Sequence, residues 1–410
     1  MAELAHVLLY AAAAFAGIIA GIFTGILPGL HINLVAVVVA SIFYGTVGIT
    51  ASAHSFAVAV FILAMSISHV FHEFLPSVFL GFSESDAALA VLPGHRMLLG
   101  GQGRKAVLLA AFGGLAGVLA LVLLSPLLLL AIKPLFYATK NHIGLILAAV
   151  IAAHFLKNRK PRAVAINALV LLLSGSFGIA VFSLPSIREP LLPMFAGLFG
   201  LSSLIGGLLN RSSFPPQQQT AAIKARNPLK VAKLLAVGIF SSSLMGLFPA
   251  LGPAQAAMIG TVALKRMRAP AYMFLLGAIS SASMLFAVLT LYSFGKARNG
   301  SIAVMGSILA PTASATIMLL AVAVIAAAAS CASVILISRL FSALIRKVNY
   351  ALLSWSVVLL ISGFVALFSG ATGLLVLAVA TAIGMVPVLT RSSRQLLMAC
   401  LMVPVIGYHL

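Results

Sequence analysis

Three ionisable residues, His69, His72 and Glu73, stand three and four positions apart inside an otherwise apolar run. On a helix that spacing puts them on one face. Glu73 is the only acid within a long apolar run. A buried carboxylate beside imidazoles can bind a cation or carry a proton, and an ionisable group inside a membrane points to function. The opposite reading is equally open from sequence: Pro76 stops the helix, and its polar end has already reached the headgroups.

A second kind of chemistry is suggested by Gly21-Ile-Phe-Thr-Gly-Ile-Leu-Pro-Gly-Leu-His-Ile-Asn33. Proline lacks the amide proton a helix needs, so the helix should break near Pro28. Gly25 and Gly29 allow the backbone to turn there. A helix restarting at His31 would aim free amides and a positive dipole end at whatever occupies the break. Gly246-Leu-Phe-Pro-Ala-Leu-Gly-Pro-Ala-Gln255 repeats the pattern later in the chain. Paired broken segments in two halves are the sequence pointer to a transporter's central site. Helix N-termini favour anions. The candidate anion-binding residues are therefore Gly25, Pro28, Gly29, His31 and Asn33, with Gly246, Pro249, Gly252, Pro253 and Gln255 opposite. Asn33 and Gln255 can donate amide hydrogen bonds, and His31 adds charge when protonated.

Composition sets the elements that must carry these residues. Of 410 residues, 62% are hydrophobic and 7% charged, against ~25% charged in soluble domains. The expected fold is an all-α polytopic membrane protein, with roughly ten to twelve apolar segments, some half-length. No basic region precedes the first apolar run, so that run is expected to stay as the first span. Lys and Arg number 25 against five acids. The cations fall between apolar runs, at 95–105, 157–162, 211–233, 265–268, 339–347 and 391–394. That is the positive-inside pattern, with contacts to anionic lipids, and it gives no support to nucleic-acid binding. Cys331 and Cys400 lie in apolar segments and read as buried hydrophobes, with no disulfide or metal-ligand spacing.

Helices are expected at 6–27, 31–48, 52–75, 106–131, 142–156, 163–182, 191–208, 270–293, 350–368, 371–389 and 395–408, and two passes within 301–338. Ser83 and Asp86 have the spacing of a partial capping box, and Pro93-Gly94 is expected to end a short helix before a basic loop at His95-Arg96. The chain divides into an N-terminal repeat at 1–208, a cytoplasmic linker at 209–232 and a C-terminal repeat at 233–410. Leu201-Ser-Ser203 and Arg391-Ser-Ser393 are a modest echo between the halves.

These stretches resemble a known family, the large permease subunit of the tripartite tricarboxylate transporters. The resemblance rests on Gly25-Ile-Leu-Pro-Gly-Leu30 and on Leu92-Pro-Gly-His-Arg-Met-Leu-Leu-Gly-Gly-Gln-Gly-Arg104. Tyr292-Ser-Phe-Gly-Lys-Ala-Arg298 and Gly384-Met-Val-Pro-Val-Leu389 are similar to a short, stand-alone, archaeal-type branch. The chain departs from the family pattern at His31-Ile-Asn33, at Pro249-Ala250 and at Gly277-Ala-Ile-Ser-Ser-Ala282. The resemblance implies two inverted repeats with re-entrant half-helices, while the departures argue against accessory subunits.

The expected function is a secondary active transporter in the plasma membrane, not an enzyme. It would move a carboxylate-type anion, coupled to Na+ or H+ through Glu73, His69 and His72, without a cofactor. A homo-oligomer is compatible with this. The alternatives are a translocase for polyprenyl phosphate or another lipid phosphate and, ranked lower, a membrane-embedded lipid-phosphate hydrolase built on the same His-His-Glu cluster.

Overall fold

A computed structural model describes residues 2–27, 32–46, 52–81, 91–156, 161–185, 187, 190–209, 215–218, 227–247, 256–257, 264, 267–297, 299–344, 347, 349–390, 392 and 394–409. The described regular structure is helical, as a chain needs when lipid offers its backbone no hydrogen bonds. Nine of the described helical segments are long and apolar enough to cross a membrane. The all-α polytopic expectation therefore holds.

The first half contains α1 (Ala2–Ile26), α2 (Ile32–Thr46), α3 (Ser52–His72), α4 (Phe74–Phe79), α5 (Val91–Leu99) and α6 (Gly103–Thr139). It continues with α7 (Ile143–Leu156), α8 (Pro161–Phe182), α9 (Leu191–Phe195), a π-turn at Ala196–Leu201 and α10 (Ser202–Leu209). The second half contains α11 (Pro228–Leu247), α12 (Ala269–Phe294), α13 (Gly300–Ile308), α14 (Ala313–Leu344), α15 (Tyr350–Leu389) and α16 (Ala399–His409).

Two spans form the core. Within the apolar window of Ala53–Phe79, 83% is buried by protein, and within that of Ala269–Phe294, 94% is. Windows in α1, α6, α14 and α15 are 22–39% buried, leaving broad apolar faces such as Leu123, Leu130 and Leu367 pointing outward. Packing between the halves is reciprocal. Helix α3 lies on α14 as α12 lies on α6, and α1 covers α3 as α11 covers α12. Near the ends of the halves, α16 packs on α7 and α8, while α9, the π-turn and α10 pack on α15.

Small residues allow these approaches. A Cβ on Gly113 would overlap the Phe274 carbonyl, and one on Gly277 would overlap the Ala110 carbonyl, so α6 and α12 touch backbone to backbone. The outer pairs repeat this at Gly178 against Cys400 and at Gly384 against Leu198. Without a hydrophobic force between helices in lipid, such close van der Waals contact is what holds them together.

Several expectations need correction. Pro76 does not stop the polar helix: after one turn residue, α4 carries it on through Phe79, with Phe74–Phe79 wholly buried. Pro93-Gly94 lies inside α5, where a proline in the first turn removes no intrahelical hydrogen bond. The region 301–338 holds one long span rather than two passes, because α13 is only nine residues. Helix α11 starts at Pro228, inside the expected linker, and Gln217 is buried. The Gln217 Oε1 accepts from Gly103 N at 2.9 Å and its Nε2 donates to the Leu98 carbonyl at 2.9 Å, tying this segment to the α5–α6 turn. The expected separation of 350–368 from 371–389 holds: α15 is two helices that meet at a kink at Gly370, at φ 66° and ψ −163°, a conformation essentially confined to glycine. Ser83 and Asp86 lie outside the described residues.

Candidate functional site around the α1–α3 contact

Gly17, Gly21 and Gly25 recur every fourth residue and form a bare stripe along α1. A Cβ on Gly17 would lie 2.5 Å from the Phe61 carbonyl oxygen, one on Gly21 2.5 Å from that of Met65, and one on Gly25 2.7 Å from that of His69. The Gly25 position is also hard against His72 Cβ and Glu73 N, at 2.8 and 3.2 Å. So the point where α1 ends and the polar end of α3 are one place, although sequence presented them as two.

This changes the role of Gly25. It lies within α1, which ends at Ile26, and its freedom is used for close approach rather than for a turn. Gly246 is alike: it lies within α11, and a Cβ there would strike the Phe286 ring of α12. The second half thus puts a phenyl ring against its glycine where the first half puts the His69 carbonyl and His72 Cβ. The expected residues Pro28, Gly29, His31, Pro249, Gly252, Pro253 and Gln255 lie outside the described residues. Asn33 lies one residue into α2, with its side-chain amide against the Cα of Gly300, where α13 begins.

The two imidazoles on α3 diverge instead of sharing one target. His69 Nδ1 is 3.1 Å from Thr24 Oγ1 on α1. His72 Nδ1 is 2.7 Å from the Ser68 carbonyl, which only accepts, so this nitrogen carries a proton. His72 Nε2 is 2.9 Å from Ser333 Oγ on α14, and that hydroxyl is also 2.9 Å from the Ser330 carbonyl. The Ser333 proton thus has two destinations. Directed at Nε2 it bonds α14 to α3; directed at Ser330 it stays within α14.

Glu73 is 5% exposed and stands at the joint between α3 and α4. Its backbone continues the helix, with Glu73 N donating to the His69 carbonyl at 2.9 Å. A carboxylate buried this deeply is costly in its charged form, which is the condition for exchanging a proton or a cation. Among the described residues no three His, Cys, Asp or Glu side chains gather to hold a metal ion. Nearby, Ser66 Oγ donates to Ser301 Oγ at 2.8 Å, and Ser301 Oγ donates to Asn299 Oδ1 at 2.8 Å, so a serine chain joins α3 to the capped start of α13. Thr24, Ser301 and Ser333 gave no sequence signal, since isolated hydroxyls in apolar helices usually bond their own backbone.

A separate polar cluster involves His95 on α5. His95 Nδ1 donates to the Val78 carbonyl at 3.3 Å and Nε2 faces the Tyr350 hydroxyl at 3.3 Å. Burial pushes its pKa down to about 4, outweighing the Val78 carbonyl, and the charge of Arg394 adds to the fall. The unfolded chain therefore takes up this proton first. The stability linked to a neutral His95 is complete above about pH 6.5 and is lost as pH falls through 4. The ceiling is roughly 3 kcal/mol, since each pKa unit between 6.5 and about 4 is worth about 1.36 kcal/mol. The unfolding midpoint of the purified protein should fall across that window, and His95→Gln should flatten the fall. An unchanged slope in the variant would assign the acid sensitivity elsewhere.

Comparison with known proteins adds a family. The profile of the tripartite tricarboxylate transporter TctA family matches residues 11–399. An uncharacterized protein of Methanocaldococcus jannaschii is 34% identical over 153 residues, covering 36% of this chain and 38% of that protein. The chain is thus aligned with well under half of that relative's length. No solved structure matches.

Proposed function

Because the chain belongs to the tripartite tricarboxylate transporter TctA family, a family of membrane transporters, we propose that it moves a carboxylate-type organic anion by coupling to an ion gradient. The anion is held where α1 gives way to α2 and at the corresponding end of α11, by Asn33 with Gly29, His31, Gly252 and Gln255. Glu73 exchanges the coupling Na+ or H+, with His72 and His69 beside it. The observation that carries this reading is the convergence at Gly25: the end of α1 is packed directly on His69, His72 and Glu73. Occupancy at the interruption and the protonation or cation loading of Glu73 are then neighbours, as coupling requires. The reciprocal packing of α3 on α14 and α12 on α6 supports two inverted-topology halves. No accessory subunit is needed for this arrangement, and a homo-oligomer is compatible with it.

The test separates a binding residue from a packing residue. Asn33→Ala removes amide donors from the interruption, and a hydrogen bond to a charged group contributes about 1.5–3 kcal/mol. The dissociation constant for a bound carboxylate should rise roughly ten- to hundredfold with little change in melting temperature. Gly25→Ala should do the reverse, because its methyl meets the backbone of α3. Calorimetric titration with citrate and with a monocarboxylate, alongside melting of the same samples, decides between them. Unchanged affinity in Asn33→Ala for every anion that the wild type binds would remove Asn33 from the site.

A further inference from the structure

Arg394 begins the short 3-10 turn Arg394–Met398 and is 5% exposed. Its Nη1 donates to the Phe199 carbonyl at 3.3 Å and to Ser203 Oγ. Both bonds leave from one nitrogen, whereas a guanidinium carries five N–H donors in a planar fork. The donors on Nε and Nη2 meet no acceptor among the described residues. Ser203, from the Leu201-Ser-Ser203 stretch, thus meets the residue that follows its sequence echo Arg391-Ser-Ser393.

The charge is real at neutral pH. Burial and the nearby cation Arg96 draw the Arg394 pKa down only to about 10. Arg96 is exposed on α5, and the adjacent His95 is neutral and fixed between Val78 and Tyr350. Tyr350 reaches that position because α10 offers Gly207, where a Cβ would overlap the Tyr350 hydroxyl. The described carboxylates are Glu3 and Glu73, on α1 and at the α3–α4 joint, and neither bonds to Arg394. A buried cation with no counter-charge is strongly unfavourable, and a second cation beside it makes matters worse.

We propose that Arg394 and Arg96, backed by Ser203 and the His95–Tyr350 pair, form an oxyanion site that takes a carboxylate or phosphate group on the unused edge of the Arg394 guanidinium. Arginine suits this role because its fork matches such groups with two parallel bonds. The site lies between α5, α10 and the turn before α16. It is separate from the interruption at Gly25 and does not depend on the coupling role of Glu73. The oxyanion can come from a soluble anion or from an acidic lipid headgroup.

The experiment uses the purified full-length protein and reads its melting temperature, since a ligand that binds only the folded state raises it. In one arm, inorganic phosphate or citrate replaces chloride at constant ionic strength in detergent. In the other, the protein is placed in nanodiscs of phosphatidylcholine with or without phosphatidylglycerol. The wild type should be stabilised in at least one arm; a response to phosphate or citrate indicates a soluble oxyanion, and a response to phosphatidylglycerol alone indicates a headgroup. Arg394→Gln should lose that response and, without the anion, melt at or above the wild-type temperature. Arg96→Gln, at an exposed position, keeps the test decisive if Arg394→Gln does not fold. It should raise the half-saturating anion level roughly tenfold, the effect of losing one charge-assisted bond. No stabilisation of the wild type in either arm, or equal stabilisation of the variants, overturns the proposal. So does a double variant Glu84→Gln with Asp86→Asn that creates an anion response absent from the wild type, because an internal carboxylate would then be the partner.

Discussion

Glu73→Gln should reduce gradient-driven anion uptake in proteoliposomes to background while leaving the protein folded and inserted. Glutamine keeps the shape and the neutral hydrogen-bonding character of a protonated glutamate. It cannot release a proton or balance a cation. Glu73 stands at the α3–α4 joint, 5% exposed, against the glycine that ends the α1 stripe. Because the amide keeps the shape of the side chain and carries no charge to bury, the variant should stay folded, which melting of the same sample checks. The informative comparison is between uptake and exchange. A variant locked in the neutral form should still exchange labelled anion across the membrane without a gradient, whereas net accumulation should vanish. Accumulation at the wild-type rate with the same pH and sodium dependence would place coupling elsewhere.

The largest effect on stability should come from a single methyl group. Gly113→Ala and Gly277→Ala each put a Cβ on top of a carbonyl oxygen of the facing helix, Phe274 for the first and Ala110 for the second. A flexible side chain could yield, but backbone cannot, so α6 and α12 must separate. Overpacking a core costs about 1–3 kcal/mol and occasionally more, and here the strain falls on the central contact between the halves. Each variant should melt well below the wild type, and the double variant should lose a monodisperse elution peak. Gly363 on α15 is the control, because a Cβ there meets nothing within 4 Å. Gly363→Ala should melt at or slightly above the wild-type temperature, since alanine is the better helix former. Equal behaviour of all three single variants would mean that α6 and α12 do not touch.

These two results would bear on different parts of one arrangement. The glycine contacts hold α12 against α6 and α1 against α3, and the second of these contacts brings Glu73 to the end of α1. His72 and Ser333 then connect that place to α14 in the other half, at 2.9 Å.

The sequence by itself determined the class, most of the spans and some of the places where helices stop. A chain with 62% hydrophobic and 7% charged residues has no other solvent than lipid, and runs of apolar residues set their own helices because backbone groups in lipid must bond within the segment. The end of α1 at Ile26 was legible from Pro28, and the apolar runs at 350–368 and 371–389 already separated the two parts of α15. Glu73 stood out as the only acid in a long apolar run. What sequence could not decide was which faces meet. The Gly17, Gly21, Gly25 stripe is visible in one dimension, but that it receives His69 and Glu73 depends on how α1 crosses α3. His69 and His72 share a helix face by spacing, yet they bond α1 and α14 respectively, because two side chains on one face still diverge toward separate neighbours. Arg394 read as one more topology signal among 25 cations and is instead buried against Ser203. The physical reason is common to all three. Periodicity and composition report a residue's preference for lipid or water, which is local, whereas partners are chosen by packing between segments tens to hundreds of residues apart, and only the folded bundle contains that information.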